Sequence, residues 1–348
     1  MKLVRFQFSI FNLLMILVTG GTGFVGSYLI KDLLKSGEKV RATKRSTSTL
    51  ELLEGCIEQI EWVETDLNEL DKFDELLNGV EKVYHCAGLV SFQSNDYEKL
   101  MKVNVDGTAN LVNACLQNGV KKLLYVSSVV TLGIPESEKL IDENYNAHTS
   151  KLCFDYFLSK RLAEMEVWRA NAEGLDTVII NPGGIIGAGF WHHEPLNVFE
   201  TVYDGLNFYT EGANGFIDVR DLSSLMIHLM NTETNGERFI AVAESLSLKD
   251  FLSLVATALN KPQPKMKVSK WMSEVAWRIE AVRAWFARSE PDYSRDDLRV
   301  ARIPFYYNNE KVKSIYKGEF ISIKRSIEES AKLFLESKKK GTRHAVFY

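Results

Sequence analysis

The sequence predicts an α/β protein, a doubly wound parallel sheet with helices on both faces and a smaller C-terminal lobe. Two observations lead there. Strand-like apolar runs alternate with amphipathic segments through the first half of the chain, and a glycine-bearing turn follows each amphipathic segment. Strands joined by helices through short connections must lie parallel, with both sheet faces covered.

Taken in order, strands are expected at Met15–Thr19, Lys39–Thr43, Ile60–Glu64, Lys82–Cys86, Lys122–Ser127 and Thr177–Asn181. Helical patterns lie between them at Phe24–Lys35, Leu70–Leu77, Tyr97–Asn118 and Phe154–Ala172. Ser36-Gly37, Asn78-Gly79, Asn118-Gly119 and Glu173-Gly174 each supply a residue free to take positive φ after a helix. Beyond residue 185 the pattern loosens. Gly183, Gly184, Gly187 and Gly189 read as a loop, followed by helices at Leu196–Tyr203 and Asp221–Met230, a strand at Arg238–Ala243 and a helix at Leu248–Leu259. Lys261-Pro-Gln-Pro interrupts the chain before a Trp-rich helical stretch, Trp271–Arg288, and Lys338-Lys-Lys reads as a solvated end.

Composition excludes several classes. The chain has 348 residues, 45% hydrophobic and 25% charged, with a formal net charge of −4, the profile of an ordinary globular protein. It has no overall basic field, so nucleic acid is not expected as a partner. Its four cysteines, Cys56, Cys86, Cys115 and Cys153, contain no CxxC pair. They make neither a disulfide framework nor a cysteine zinc site, and reduced thiols in a cytoplasmic protein are expected. No metal is expected at Trp191-His192-His193-Glu194 either, because adjacent histidines point apart and no third ligand is suitably spaced. That segment reads as a loop near the mouth of a site. His85 is expected to pack or to bond backbone, and Asp142-Glu143 to be solvated.

The chain start imitates a secretion signal: Lys2 and Arg5 precede an apolar run from Phe6 to Val18. Gln7, Ser9 and Asn12 interrupt that run, and Ile16–Val18 are needed as the strand feeding a glycine-rich turn. No signal peptide or membrane span is therefore expected. Residues 1–14 read as a non-essential extension, 15–185 as a nucleotide-binding domain, and 186–348 mainly as a substrate-binding lobe with segments returning to the first domain.

Thr19-Gly20-Gly21-Thr22-Gly23-Phe24-Val25-Gly26 places glycines at 20, 23 and 26 between a strand and a helix. Such a turn lets the backbone approach a pyrophosphate, which then meets free N–H groups at the helix N-terminus. This is the dinucleotide loop of a Rossmann fold. The end of the second strand, where the adenosine ribose is read, runs Val40-Arg-Ala-Thr-Lys-Arg45 without a carboxylate. Arg45 is expected to contact a 2′-phosphate, supported by Lys44 or Arg41, so NADP(H) is expected before NAD(H). Tyr156 and Lys160 lie four apart on one helix face, a spacing that lets an ammonium lower a phenol pKa. Ser127-Ser128 close the fifth strand at the carboxyl edge, where ligands bind.

These elements resemble the extended short-chain dehydrogenase/reductase superfamily over about residues 14 to 260. The resemblance is carried by Gly20/Gly23/Gly26, Asp66-Leu67, His85-Cys-Ala-Gly88, Asn104-Val-Asp-Gly-Thr108, Tyr125-Val-Ser-Ser128, Tyr156/Lys160, Asn181-Pro182-Gly183 and Phe216-Ile-Asp-Val-Arg-Asp221. It implies that Asp66 and Leu67 border the adenine, that Ala87 lines the cofactor channel, and that Asn104 organises the proton relay. It also implies that Ser128 holds the substrate oxygen, with Ser127 as the alternative. Tyr156 would be the acid/base, and Lys160 would tune it and bind ribose. A homodimer through the Tyr97–Asn118 and Phe154–Ala172 helices is implied as well.

Within that family, Val129-Val130 stand where dehydratases carry an Asp-Glu pair, and valine can neither remove nor deliver a proton. Asn214 stands where nucleotide-sugar epimerases carry a diphosphate-clamping arginine, and an amide gives no charge-assisted fork. The run ending at Arg45 is similar to the dihydroflavonol-reductase branch. The expectation is an NADP(H)-dependent oxidoreductase acting on a small carbonyl or alcohol. An NAD-dependent nucleotide-sugar epimerase and a non-catalytic NAD(P) sensor are the alternatives. In the Trp-rich stretch, Trp271, Val275, Ile279 and Val282 can line one helix face, with Arg278, Arg283 and Arg288 elsewhere. A core or lid helix is the expectation, ahead of a partner contact or a membrane-surface helix.

Overall fold

The computed structural model describes residues 14–91, 94–134, 140–145, 155–287 and 299–347. Residues 1–13, Cys153 and Arg288 lie outside the described residues. The chain opens with β1 (Met15–Thr19), α1 (Phe24–Lys35), β2 (Lys39–Lys44), β3 (Glu61–Glu64), α2 (Phe73–Leu77) and β4 (Val80–His85). Next come α3 (Tyr97–Leu100), a π-helical segment Met101–Asp106, α4 (Gly107–Gln117), β5 (Lys122–Val126), α5 (Asp155–Ala172) and β6 (Asp176–Pro182). The second half adds β7 (Gly184–Ile186), α6 (Asn197–Tyr203), β8 (Phe208–Tyr209), β9 (Ala213–Asp218), α7 (Val219–Met230) and β10 (Glu237–Ala241). It continues with β11 (Glu244–Ser247), α8 (Leu248–Ala258), β12 (Met266–Lys267), α9 (Lys270–Ala287), α10 (Glu310–Ile315) and α11 (Ile323–Lys340).

Seven strands form one sheet in the order β10-β6-β5-β4-β1-β2-β3. Every pairing in it is parallel. Parallel strands covered on both faces read as unbroken apolar runs, and here alternate residues divide between two cores. Ile16, Val18, Leu124, Val178 and Ile180 face the core closed by α1 and α7. Leu17, Leu123 and Ile179 face the core closed by α4 and α5. The order reverses at β1, between β4 and β2, which opens a crevice at the carboxyl ends of those strands.

The second half builds its own core around Trp191, Phe199, Phe216, Phe251 and Phe334, while β10 and α7 return to the main sheet. Several elements there escape the sequence pattern. β7 occupies part of the expected glycine loop, and β9 pairs with β7 and antiparallel β11. Lys338, Lys339 and Lys340 are exposed as expected, but they close the 18-residue α11, and the Lys338 ammonium lies 2.5 Å from Glu200. α11 forms because Ser322 caps its first turn and Ile323, Ile327, Ala331 and Phe334 make one apolar row. In α9, the core reading fails for two of its residues: Trp271 is 69% and Val275 44% exposed. The side chains of Ile279 and Val282 lie outside the described residues.

Candidate active site

The glycine turn closes at the mouth of the crevice. Gly20 adopts φ +66°, its carbonyl accepts from Gly23 N at 3.0 Å, and its N–H donates to Thr43 Oγ1 at 3.2 Å. A Cβ on Gly26 would stand 2.3 Å from the Gly20 carbonyl oxygen, so the turn packs directly on the first helical turn of α1. Only glycine permits both features. A groove of about 410 Å³ runs from this turn, and Gly20, Gly23, Arg45, Asp66, Leu67 and Ala87 line it. The Asp66 carboxylate is oriented from below, accepting from Asn68 N at 3.0 Å and Asn68 Nδ2 at 2.8 Å.

A second pocket of about 270 Å³ shares Cys86, Gly88 and Leu89 with the groove. Val25, Ser128, Tyr156, Lys160, Pro182 and Gly183 line it. Phe24 and Gly26 line neither space; Phe24 packs edge-on against Tyr28, and Gly26 is buried under the turn. The expected cofactor residues are otherwise brought together along one continuous channel.

In the second pocket the Ser128 hydroxyl hydrogen-bonds the Tyr156 phenol. Ser128 caps a short 3₁₀ turn and accepts from Val130 N at 3.4 Å. The Ser127 hydroxyl is buried without a protein partner, so Ser128 is the serine joined to Tyr156. Lys160 donates to the Val126 carbonyl at 2.7 Å and lies 4.3 Å from the Tyr125 ring centre. Burial pulls its pKa down to about 7, against the favourable charge of Glu164. On balance the Tyr156 phenol is raised and not lowered. Burial pushes Tyr156 up to about 12, the Ser128 bond opposes this, and the Glu194 carboxylate adds to it.

Asn104 sits in the π segment, a helix form that frequently marks functional sites. It lines neither space, but braces the channel wall. Its Oδ1 accepts from Leu89 N at 2.7 Å, and its Nδ2 donates to Leu89 O and Ser159 Oγ, both at 2.9 Å.

Two further expectations change and a third is narrowed. Arg41 cannot support a 2′-phosphate contact. It is 7% exposed and donates to Glu61 and to the carbonyls of Glu75, Leu76 and Asn78. Four residues of strand separate it from Arg45, about 13 Å along the sheet. His85 packs as expected, fully buried with its ring 5.2 Å from that of Tyr125, but it bonds side chains and not backbone. Its ring nitrogens lie 2.7 Å from Thr19 Oγ1 and 2.9 Å from Thr108 Oγ1, and burial lowers its pKa to about 3. Glu143 is docked rather than solvated, accepting from Ile240 N at 3.0 Å.

Glu194 lines the pocket from the segment read as a loop at its mouth, whereas sequence reasoning passed over Cys86 and Leu89 as lining residues. It also passed over Glu164, whose spacing of four from Lys160 was a usable signal. Among the described residues, no group of three or more His, Cys, Asp or Glu is placed to hold a metal ion. No helix there is long and apolar enough to cross a membrane. Cys56, Cys86 and Cys115 are free thiols.

The seven-stranded parallel sheet with a glycine turn at its switch point is the Rossmann-type nucleotide-binding fold of the extended short-chain dehydrogenase/reductase type. The chain belongs to the NAD-dependent epimerase/dehydratase family, whose pattern it matches over residues 16–242. It is 32% identical over 328 residues to the Synechocystis protein named "Putative dihydroflavonol 4-reductase", covering 91% of this chain and 93% of that one. It is 29% identical over 290 residues to sterol demethylase protein B of Methylococcus capsulatus, covering 82% and 87%. The crystal structure of gox2253 superposes with a TM-score of 0.80 at 27% identity, covering 93% and 98%. The protein is an NAD(P)-dependent oxidoreductase of this type.

Proposed function

We propose that this protein is an NADP(H)-dependent reductase of a small, neutral carbonyl compound, with Tyr156 as proton donor. The observation that carries the reading is the joining of Ser128, Tyr156 and Lys160 around one pocket that opens into the glycine-turn groove. The residues fit a dinucleotide: the turn leaves no room for a Cβ at Gly26, and Arg45 lines the groove at the end of a run, Val40–Arg45, that holds no carboxylate. When bound, NADPH supplies the hydride.

Ser128 orients the carbonyl oxygen against the Tyr156 hydroxyl, and Tyr156 gives its proton to the developing alkoxide. A phenol raised to about 12 is fully protonated at neutral pH, the form a reduction consumes. Lys160, anchored on Val126, holds positive charge beside this transfer. The pocket wall is largely apolar, with Val25, Leu89, Val90, Val129, Val130 and Ile185. Lys160 is the one cation among the described lining residues, and Asn214 turns its Oδ1 to its own neighbour's N–H at 2.9 Å. Such a wall suits an uncharged substrate better than a nucleotide diphosphate. The name of the Synechocystis relative above, a dihydroflavonol 4-reductase, supports the same choice.

The test is an NADPH-oxidation screen across aldehydes, ketones and sugar nucleotides, with Tyr156→Phe as control. Turnover of neutral carbonyls, lost on the order of 10²- to 10⁴-fold in the variant, is expected. Failure to bind NADPH, or full turnover by Tyr156→Phe, would sink the reading. Tight binding of a UDP- or dTDP-sugar would favour the epimerase alternative. We also propose a homodimer through the α3–α4 and α5 helices, supported by Tyr97 and Met165, 46% and 58% exposed on them. Light scattering at a monomer mass would overturn it.

A further inference from the structure

Behind the substrate pocket, α5 carries a third polar side chain in the row of Tyr156 and Lys160. Residues 156, 160 and 164 are spaced four apart and share one helix face. Glu164 is 3% exposed. Its Oε1 accepts from Asn181 Nδ2 at 2.7 Å and lies 2.8 Å from Thr131 Oγ1, while Oε2 faces Arg238 of β10 at 3.4 Å. The same two groups lie beside the backbone carbonyl of Ser128, Asn181 Nδ2 at 3.0 Å and Thr131 Oγ1 at 2.9 Å, the one Thr131 proton serving either this carbonyl or Glu164. A buried carboxylate is costly unless it is paired and hydrogen-bonded. Here the groups that satisfy it are those that hold the serine of the site.

We propose that Glu164 is a positioning residue: through Asn181 and Thr131 it fixes the Ser128 backbone, and its negative charge balances the Lys160 ammonium in an apolar enclosure. The inference rests on the reductase reading above. The groups facing Lys160 come from three elements. Glu164 and Tyr156 lie on its own helix, Cys86 and His85 at the end of β4, and Tyr125 on β5. Glu164 is the group that favours its charge, since burial holds the Cys86 thiol un-ionised by raising its pKa to about 12. Glu164 in turn meets Arg238 from β10, Asn181 from β6 and the buried Tyr125 phenol.

The experiment compares Glu164→Gln, Glu164→Leu and Tyr156→Phe in the full chain, reading kcat against pH with NADPH and the best carbonyl substrate. Glutamine keeps an acceptor for Asn181 and Thr131 but removes the charge. Loss of activity with rising pH, as Lys160 gives up its proton, should therefore begin about one pH unit lower in Glu164→Gln. KM should stay within about twofold, because the serine remains supported. Glu164→Leu removes the acceptor too and should lower kcat at the optimum by about tenfold more. NADPH fluorescence titration checks that each variant is folded. If Glu164→Leu does not bind NADPH, the pH profile of Glu164→Gln decides alone. A Glu164→Gln profile superimposed on the parent, with Tyr156→Phe inactive, overturns this inference and leaves the reductase reading standing. Full activity in Tyr156→Phe removes the reading itself.

Discussion

Arg41 and Arg45 make opposite predictions although they share one strand end. Arg41 is buried, with Nε and Nη2 on Glu61 at 2.8 and 2.7 Å. Its Nη1 lies 3.1, 2.9 and 2.9 Å from the carbonyls of Glu75, Leu76 and Asn78. It thus ties β2 to β3 and satisfies the carbonyls at the end of α2, groups that have no helical partner. Arg41→Met keeps the apolar stem and removes every one of these bonds. Glu61 is half exposed, so its pairing contributes little. Hydrogen bonds from a charged donor to buried carbonyls contribute about 1.5–3 kcal/mol each, and the three carbonyls share two protons. A net loss of about 3 kcal/mol follows, which for a chain of this length lowers the thermal midpoint by about 4 °C. Arg45 is exposed on the groove, so Arg45→Ala should leave the midpoint within about 1 °C. It should raise KM for NADPH about fivefold to tenfold and leave NADH unchanged. Differential scanning fluorimetry and steady-state kinetics with both cofactors test the pair. An Arg41→Met protein with the parent midpoint and a raised KM for NADPH would refute the reasoning.

Three other outcomes follow from local geometry. Gly26→Ala forces a methyl to within 2.3 Å of the Gly20 carbonyl oxygen, so NADPH binding by fluorescence titration should be lost while far-UV circular dichroism persists. His85 has a folded pKa of about 3, below the ordinary value near 6.5, so the unfolded chain takes up its proton first as pH falls. Its contribution is complete above pH 6.5 and is lost between there and pH 3 at about 1.4 kcal/mol per unit, and His85→Gln should show a shallower acid limb in urea titrations. Trp271→Ala should leave the thermal midpoint within about 1 °C, since the ring is 69% exposed; a drop of several degrees would restore a core role.

The main sheet was readable because parallel strands buried on both faces leave a local trace. Met15–Val18 and Val178–Ile180 are apolar without interruption, and four of the five gaps between the first six strands hold one amphipathic segment closed by glycine. Boundaries moved by a residue or two: β4 runs Val80–His85, leaving Cys86 to turn into the channel. The second half resisted for a physical reason. β8, β11 and β12 are two to four residues long and not fully buried, so they carry no alternation that a sequence can display. α9 shows a different failure. Its helical period is plain, but a period gives the apolar face without saying what covers it.

The site divides along the same line. Gly20, Gly26, Tyr156 and Lys160 were legible because their requirement is local: a positive φ, a missing Cβ, or a spacing of four on one helix. Arg41 and Arg45 were not separable that way. They read as two bases of one short run, and only the fold puts Arg41 among the α2 carbonyls and Arg45, just past β2, on the groove. Glu164 needed still more. Its partners come from residues 131, 181 and 238, elements joined only when β5, β6 and β10 lie side by side. The sequence therefore names the groups that meet cofactor and substrate. The groups that hold them in place are set by sheet order, and they become visible only when the buried charges are asked for their partners.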